Sequence, residues 1–188
     1  MKENLNSKSY WNDRFQNGSW LDAGRLQTMN YALANVAQLT IDESFTGTIL
    51  DFGCALGDVA TVYAETFPNA ALVGVDHSEI AIKKCREKYG DISRFLCADY
   101  SDIPEADVII ASHVLEHIEG DNAILAELLG KCNDLFVIVP YKEAPLYIEH
   151  VNYYDEDYYA EFTPCEIRTF KVQYAVDKSL REWLRGAL

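Results

Sequence analysis

The stretch Thr48-Ile49-Leu50-Asp51-Phe52-Gly53-Cys54-Ala55-Leu56-Gly57-Asp58 constrains the chain more than any other. Ile49 and Leu50 form a short apolar run, glycines follow, and Val59-Ala60-Thr61-Val62-Tyr63-Ala64 continues with helical character. This pattern is a buried strand that ends in a glycine turn and enters a helix. Glycines there permit positive φ and let a ligand approach the backbone. The unpaired N–H groups of the following helix, at the positive end of its dipole, favour an anionic group. Such a place suits a nucleotide-type cofactor at the edge of a parallel sheet.

The rest of the chain repeats the alternation. Residues 5–16 hold Tyr10, Trp11 and Phe15 in a short amphipathic helix, which Asn17-Gly18-Ser19 breaks. Leu26, Met29, Leu33, Val36 and Leu39 predict a second helix over 24–39. After the first strand, turn and helix, strands are predicted at 71–75, 94–98, 107–111 and 135–139, with helices from Ser78 to Lys88 and from Asp121 to Leu129. Ser78 is a good N-cap, and Glu79 suits the first turn behind it. Short apolar strands alternating with helices predict an α/β fold: a doubly wound, Rossmann-like, mostly parallel sheet of 6–7 strands with helices on both faces. Toward the end, 155–162 reads as a short helix and 166–176 as a strand. Residues 180–188 have helical spacing, with a final edge strand as the alternative.

The identity of the cofactor turns on carboxylates. Nicotinamide and flavin sites need GxGxxG in this turn, and the chain offers only Gly53 and Gly57, with Ala55 between them. A phosphate-binding P-loop needs a lysine where Asp58 stands. Asp51 would repel a pyrophosphate but suits an ammonium. Asp76 closes the second strand, where a carboxylate accepts both hydroxyls of a ribose. Asp99 closes the third, where a carboxylate accepts an amine N–H of adenine. A molecule with an amino acid end, a ribose and an adenine fits all three, and S-adenosylmethionine is that molecule.

The segments Asp51 to Asp58, Gly74-Val75-Asp76-His77-Ser78, Cys97-Ala98-Asp99 and Ala111-Ser112-His113-Val114-Leu115-Glu116-His117-Ile118 together resemble class I S-adenosylmethionine-dependent methyltransferases, of the small bacterial methyltransferase 11/12/23 type. Ala55 departs from that pattern, which usually has a middle glycine. The resemblance implies that Asp51 and the backbone of Gly53, Cys54, Ala55 and Gly57 hold the methionine end. It assigns Asp76 to the ribose, Asp99 and Tyr100 to the adenine, and Ser112 and His113 to the sulfonium and substrate side, with His77 also in the cofactor site. Tyr10-Trp11 and Gly24-Arg25-Leu26 resemble a lid, in which an aromatic residue covers the cofactor and an arginine pairs with its carboxylate. The chain is then one methyltransferase domain over 1–188, with a helical lid at 1–40, a cofactor core at 45–140 and a substrate side at 141–188. The product of transfer would be S-adenosylhomocysteine.

A sulfonium makes its methyl group electrophilic, so the protein must mainly align donor and acceptor and exclude water. A base is needed for a hydroxyl or protonated amine acceptor. His113, directly after the fourth strand, is the first candidate and His150 the second, histidine being the side chain best suited to general-base work. Glu116 and His117 read as structural, and no set of side chains has metal-ligand spacing. The acceptor is expected to be a small molecule or biosynthetic intermediate. Resemblance of Pro140-Tyr141 and Glu149-His150-Val151-Asn152 to methyltransferases of sugar and surface-polysaccharide pathways points toward a sugar hydroxyl. A net charge of −14 disfavours nucleic acid as a partner. No apolar run reaches the ~18 residues of a membrane span. The five scattered cysteines and the absence of a signal-peptide core in the first residues predict a cytoplasmic protein with reduced thiols. Two other readings stay open: an NAD(P)-dependent oxidoreductase, and a non-catalytic S-adenosylmethionine-binding module on the same fold.

Overall fold

The computed structural model describes residues 5–164 and 166–172, with the backbone alone over 21–26. Five strands form one parallel sheet: β1 (Thr48–Phe52), β2 (Ala71–Asp76), β3 (Arg94–Cys97), β4 (Ala106–Ser112) and β5 (Cys132–Ile138). Their order is β3-β2-β1-β4-β5, so the chain winds outward from β1 in both directions. Alternation along β1 and β4 sends side chains to two cores. Leu50 and Ile109 pack on one face, and Ile49, Val108 and Ile110 on the other, all nearly or wholly buried.

The helices α1 (Lys8–Asn17), α2 (Ser19–Val36), α3 (Val59–Thr66), α4 (Glu79–Tyr89) and α5 (Asp121–Leu129) cover these cores. Met29 and Ala32 of α2 and Val62 and Tyr63 of α3 pack on the face of Ile49 and Ile110. Ile82 and Cys85 of α4 meet Ala60 of α3 and Phe95 of β3 on that side, whereas Ile124, Leu125 and Leu128 of α5 cover the face of Leu50 and Ile109. The expected doubly wound architecture, with helices on both faces, is what the chain forms.

The capping is local chemistry. Ser78 Oγ accepts the N–H of Ala81 at 3.1 Å, as its place before Glu79 predicts, and Ser7 Oγ accepts that of Tyr10 at 3.2 Å. Gly18, at φ +84°, joins α1 to α2, and Asn17 Oδ1 accepts the Ser19 N–H. The chain therefore re-enters a helix at once, and α2 starts at Ser19, earlier than the predicted 24.

Two expectations at the far end differ. Five of the expected strands lie among the described residues; no strand occurs over 166–172, and 173–176 and 180–188 lie outside the described residues. The predicted helix over 155–162 is a run of turns ending in a 3-10 turn, Ala160–Phe162. Its tyrosines explain this. The hydroxyls of Tyr154, Tyr158 and Tyr159 all donate to the buried Asp121 carboxylate at 2.8–2.9 Å, and this convergence folds the segment back onto the start of α5.

Candidate active site

The turn after β1 is pinned to β2. The N–H groups of Gly53 and Cys54 both donate to the Val75 carbonyl, and that of Gly57 to the Cys54 carbonyl. Gly53 (φ +77°), Ala55 (φ +47°) and Gly57 (φ +75°) all occupy the left-handed region. At Gly53 a Cβ would stand 2.5 Å from Val114 Cγ2, so both conformation and space require glycine. Ala55 accepts its strained conformation with a stabilising contact, since its N–H donates to Asp76 Oδ2 at 3.0 Å. The other oxygen of Asp76 accepts the Ser78 N–H at 2.8 Å. The carboxylate that ends β2 thus also shapes the turn that ends β1.

Two cavities, of about 400 and 500 Å³, meet at this turn and share Trp20, Gly53, Ala55, His113 and His117 as walls. Trp11, Asp76, His77, Asp99 and Tyr100 line the first. Asp51, Cys54, Ser112 and His150 line the second. Of the residues singled out in the sequence, Gly53, Ala55 and His113 therefore touch both cavities. Tyr10 and Gly57 line neither: Tyr10 donates its hydroxyl to Glu149, and Gly57 lies close against Cys85 and Phe95. The side chain of Arg25 is outside the described residues. Cys54, Cys85, Cys97 and Cys132 are free thiols.

Electrostatics differ along the carboxylates. Enclosure raises the Asp51 carboxyl to a pKa of about 7, and the nearby Asp76 carboxylate adds to the shift. Asp76 is also raised by burial, an effect opposed by the N–H groups of Ser78 and Ala55. Burial lowers His117 below the ordinary histidine value. His113, at φ +53°, stacks on Tyr31 with ring centroids 4.0 Å apart and places Nδ1 3.1 Å from Glu116 Oε1. Ser112 Oγ accepts from Asn35 Nδ2 at 2.8 Å.

Sequence reasoning missed a junction built on Glu149. Its buried carboxylate pairs with Arg14 of α1 and accepts from Tyr10, while its carbonyl oxygen takes Asn6 Nδ2 at 2.7 Å and stands 3.2 Å from His117 Nδ1. Arg14 also lies over Trp11 and Trp20, 5.5 and 5.7 Å from the ring centroids. The i,i+4 spacing of Tyr10 and Arg14 was readable, but their shared partner 135 residues beyond Arg14 was not.

Residues 49–133 match the family model described as "Methyltransferase domain". That stretch, a little under half of the chain, is similar to methyltransferase domains. Its curated relatives include the trans-aconitate 2-methyltransferase of Rhodococcus jostii, 26% identical over 85 residues, 45% of this chain and 34% of that protein. That of an Acidovorax species is 30% identical over 84 residues, 43% of this chain and 32% of that one. The chain thus spans about a third of the length of the curated relatives it matches. Among solved structures, the plantazolicin methyltransferase BpumL, in complex with a monoazolic desmethylPZN analog and SAH, superposes with a TM-score of 0.51 at 25% identity. That match covers 64% of this chain and 48% of that one. The matched stretch contains the β1 turn, Asp76, Asp99 and the His113–His117 segment. Among the described residues, no helix is long and apolar enough to cross a membrane.

Proposed function

We propose that the protein binds S-adenosylmethionine across the two cavities and transfers its methyl group to a small-molecule acceptor. The observation that carries this reading is the arrangement of three carboxylates. Asp51 of β1, Asp76 of β2 and Asp99 after β3 belong to neighbouring strands, and they line two cavities that meet at Gly53 and Ala55. Asp99 and Tyr100 would take the adenine, Asp76 the ribose, and Asp51 with the Gly53–Ala55 backbone the amino acid end. The similar BpumL structure holds SAH, which supports the choice of cofactor.

The second cavity then receives the acceptor. Alignment of its nucleophilic atom with the methyl–sulfur bond contributes most, since oriented proximity is worth up to roughly 7–11 kcal/mol. The Nδ1 of His113 faces the Glu116 carboxylate, which favours the tautomer with its proton on Nδ1. Nε2 is then free to accept the proton of an acceptor hydroxyl. Tyr31, Tyr141 and Tyr147 in the same walls suit an acceptor with a flat or ring-shaped body, such as a sugar.

Calorimetry with S-adenosylmethionine, S-adenosylhomocysteine and NAD tests the reading; saturable binding of NAD alone would reverse it. Asp76→Ala should weaken S-adenosylhomocysteine binding by about 1–3 kcal/mol, because a charged acceptor for the ribose is lost. Unchanged affinity in that variant removes the ribose assignment. His113→Ala with unaltered turnover across pH would end the role of His113 as base.

A further inference from the structure

We propose that Glu116, His117 and His150 form a divalent metal site in the wall of the second cavity, which takes a transition ion and holds an oxygen atom of the methyl acceptor. One ligand atom from each of the three lies within 4.8 Å of the others, although the third comes from a loop more than thirty positions away in the chain. Nothing in the sequence spacing announces the set. The fold assembles it by carrying 141–152 back across the 3-10 turn Leu115–His117, where the Val151 N–H donates to the Glu116 carbonyl.

The hydrogen bonds prepare each side chain as a ligand. A carbonyl oxygen only accepts, so the contact of His117 Nδ1 with the Glu149 carbonyl at 3.2 Å puts the proton on Nδ1 and leaves the lone pair on Nε2. His150 Nδ1 lies 2.5 Å from Glu143 Oε2, and the carboxylate sets the same tautomer. Metal-bound histidines are commonly held in this way by a carbonyl or carboxylate behind the ring. Glu116 completes the pattern. Its side chain is 1% exposed, its Oε1 faces His113 Nδ1, and its Oε2 is buried with no hydrogen-bond partner. A buried carboxylate oxygen without a partner is costly, and a cation is the partner that would satisfy it.

Two imidazoles and one carboxylate suit manganese, iron(II), cobalt or zinc better than magnesium or calcium, which prefer oxygen ligands. Binding at about 2.0–2.2 Å would draw the three side chains together and leave positions open for other ligands. The acceptor role rests on the reading of the second cavity given above; the metal site does not. A hydroxyl bound to the ion is more acidic and gives its proton more easily to His113 Nε2 in the same cavity. Its oxygen then forms the new bond to the methyl carbon as the carbon–sulfur bond breaks and its electron pair passes to sulfur.

The test is titration of the whole chain, freed of metal by chelator and dialysis, with Co²⁺, Zn²⁺ and Mg²⁺, read by calorimetry and by the visible spectrum of cobalt. One Co²⁺ or Zn²⁺ per chain is expected, with Mg²⁺ weaker by at least about tenfold. Glu116→Gln and His150→Ala should each weaken Co²⁺ binding on the order of 100-fold. Melting curves establish that each variant is folded, and His150→Ala, in a surface loop, stands in if Glu116→Gln does not fold. Absence of saturable binding, or binding indifferent to the folded variants, overturns the site. Acetohydroxamate, an oxygen-donor chelator, should shift the cobalt bands; bands that do not move overturn the acceptor role. S-adenosylhomocysteine binding by the metal-free protein is measured in parallel. Cofactor binding without metal binding refutes the metal site alone, and the converse refutes the cofactor reading while the metal site stands.

Discussion

Asp51 stands within β1 with its carboxyl raised to about 7 by enclosure and by the neighbouring Asp76. An unfolded aspartate titrates near 3.9. Between those values the folded chain holds a proton that the unfolded chain has lost. The stabilisation from this group is therefore complete at low pH and is lost as pH rises through 7. Binding of an ammonium beside Asp51 favours its ionised form and should expel that proton. Affinity for S-adenosylmethionine is thus expected to increase from pH 5 to pH 7.5. Calorimetry near pH 6, in buffers of different ionisation enthalpy, should detect proton release on binding, and Asp51→Asn should abolish it. Equal heats in all buffers for the unaltered chain would remove the ammonium from this position. Asp51, Asp76 and Asp99 were legible in the sequence because each closes or interrupts an apolar run. The surroundings of Glu116 and His117 were not legible, since Glu149 and His150, which come to lie beside them, belong to another part of the chain.

At the scale of elements, strands were legible wherever apolar runs coincide with backbone pairing, as in β1 and β4. Where they do not coincide the limits moved. β5 begins at Cys132 instead of 135 because the exposed Asn133 and Asp134 continue the ladder opposite β4, and pairing is decided by the neighbouring strand. The strand expected over 166–176 rested on β-branched and aromatic residues alone, and over the described 166–172 that composition forms no strand. The contact of α1 with 141–152 runs through Arg14 and Glu149, whose side chains are 18% and 7% exposed. Removal of one member of such a pair leaves the other enclosed and charged. Arg14→Ala should lower stability by roughly 3 kcal/mol in urea unfolding, at the low end for a buried pair. A change within the scatter of a surface substitution would show that Tyr10 alone satisfies Glu149.

For the described residues as a whole, the two cores hold the sheet and the tyrosines of 154–159 gather on one carboxylate. Asp121 accepts three tyrosine hydroxyls and is 2% exposed, and burial beside it pushes Tyr158 up to about 12. Asp121→Ala strands those hydroxyls and is expected to cost about 3 kcal/mol, followed by urea unfolding. Tyr158→Phe, which removes one of three donors, should cost about 1 kcal/mol or less. If Asp121→Ala is neutral, the aromatic cluster is held by packing instead. This convergence, like the acceptor side as a whole, could not be read from one sequence, because it is made by residues over thirty positions apart.

The junction at Glu149 reaches further than stability. It gathers α1, the turn around His117 and the 141–152 loop at a single residue, and Arg14 and Glu149 both belong to the wall of the second cavity. A guest held there would lean on a wall whose position that junction helps to fix. Under the proposed reading, the grip on the cofactor would thus depend in part on a contact that takes no part in breaking or making the methyl bond.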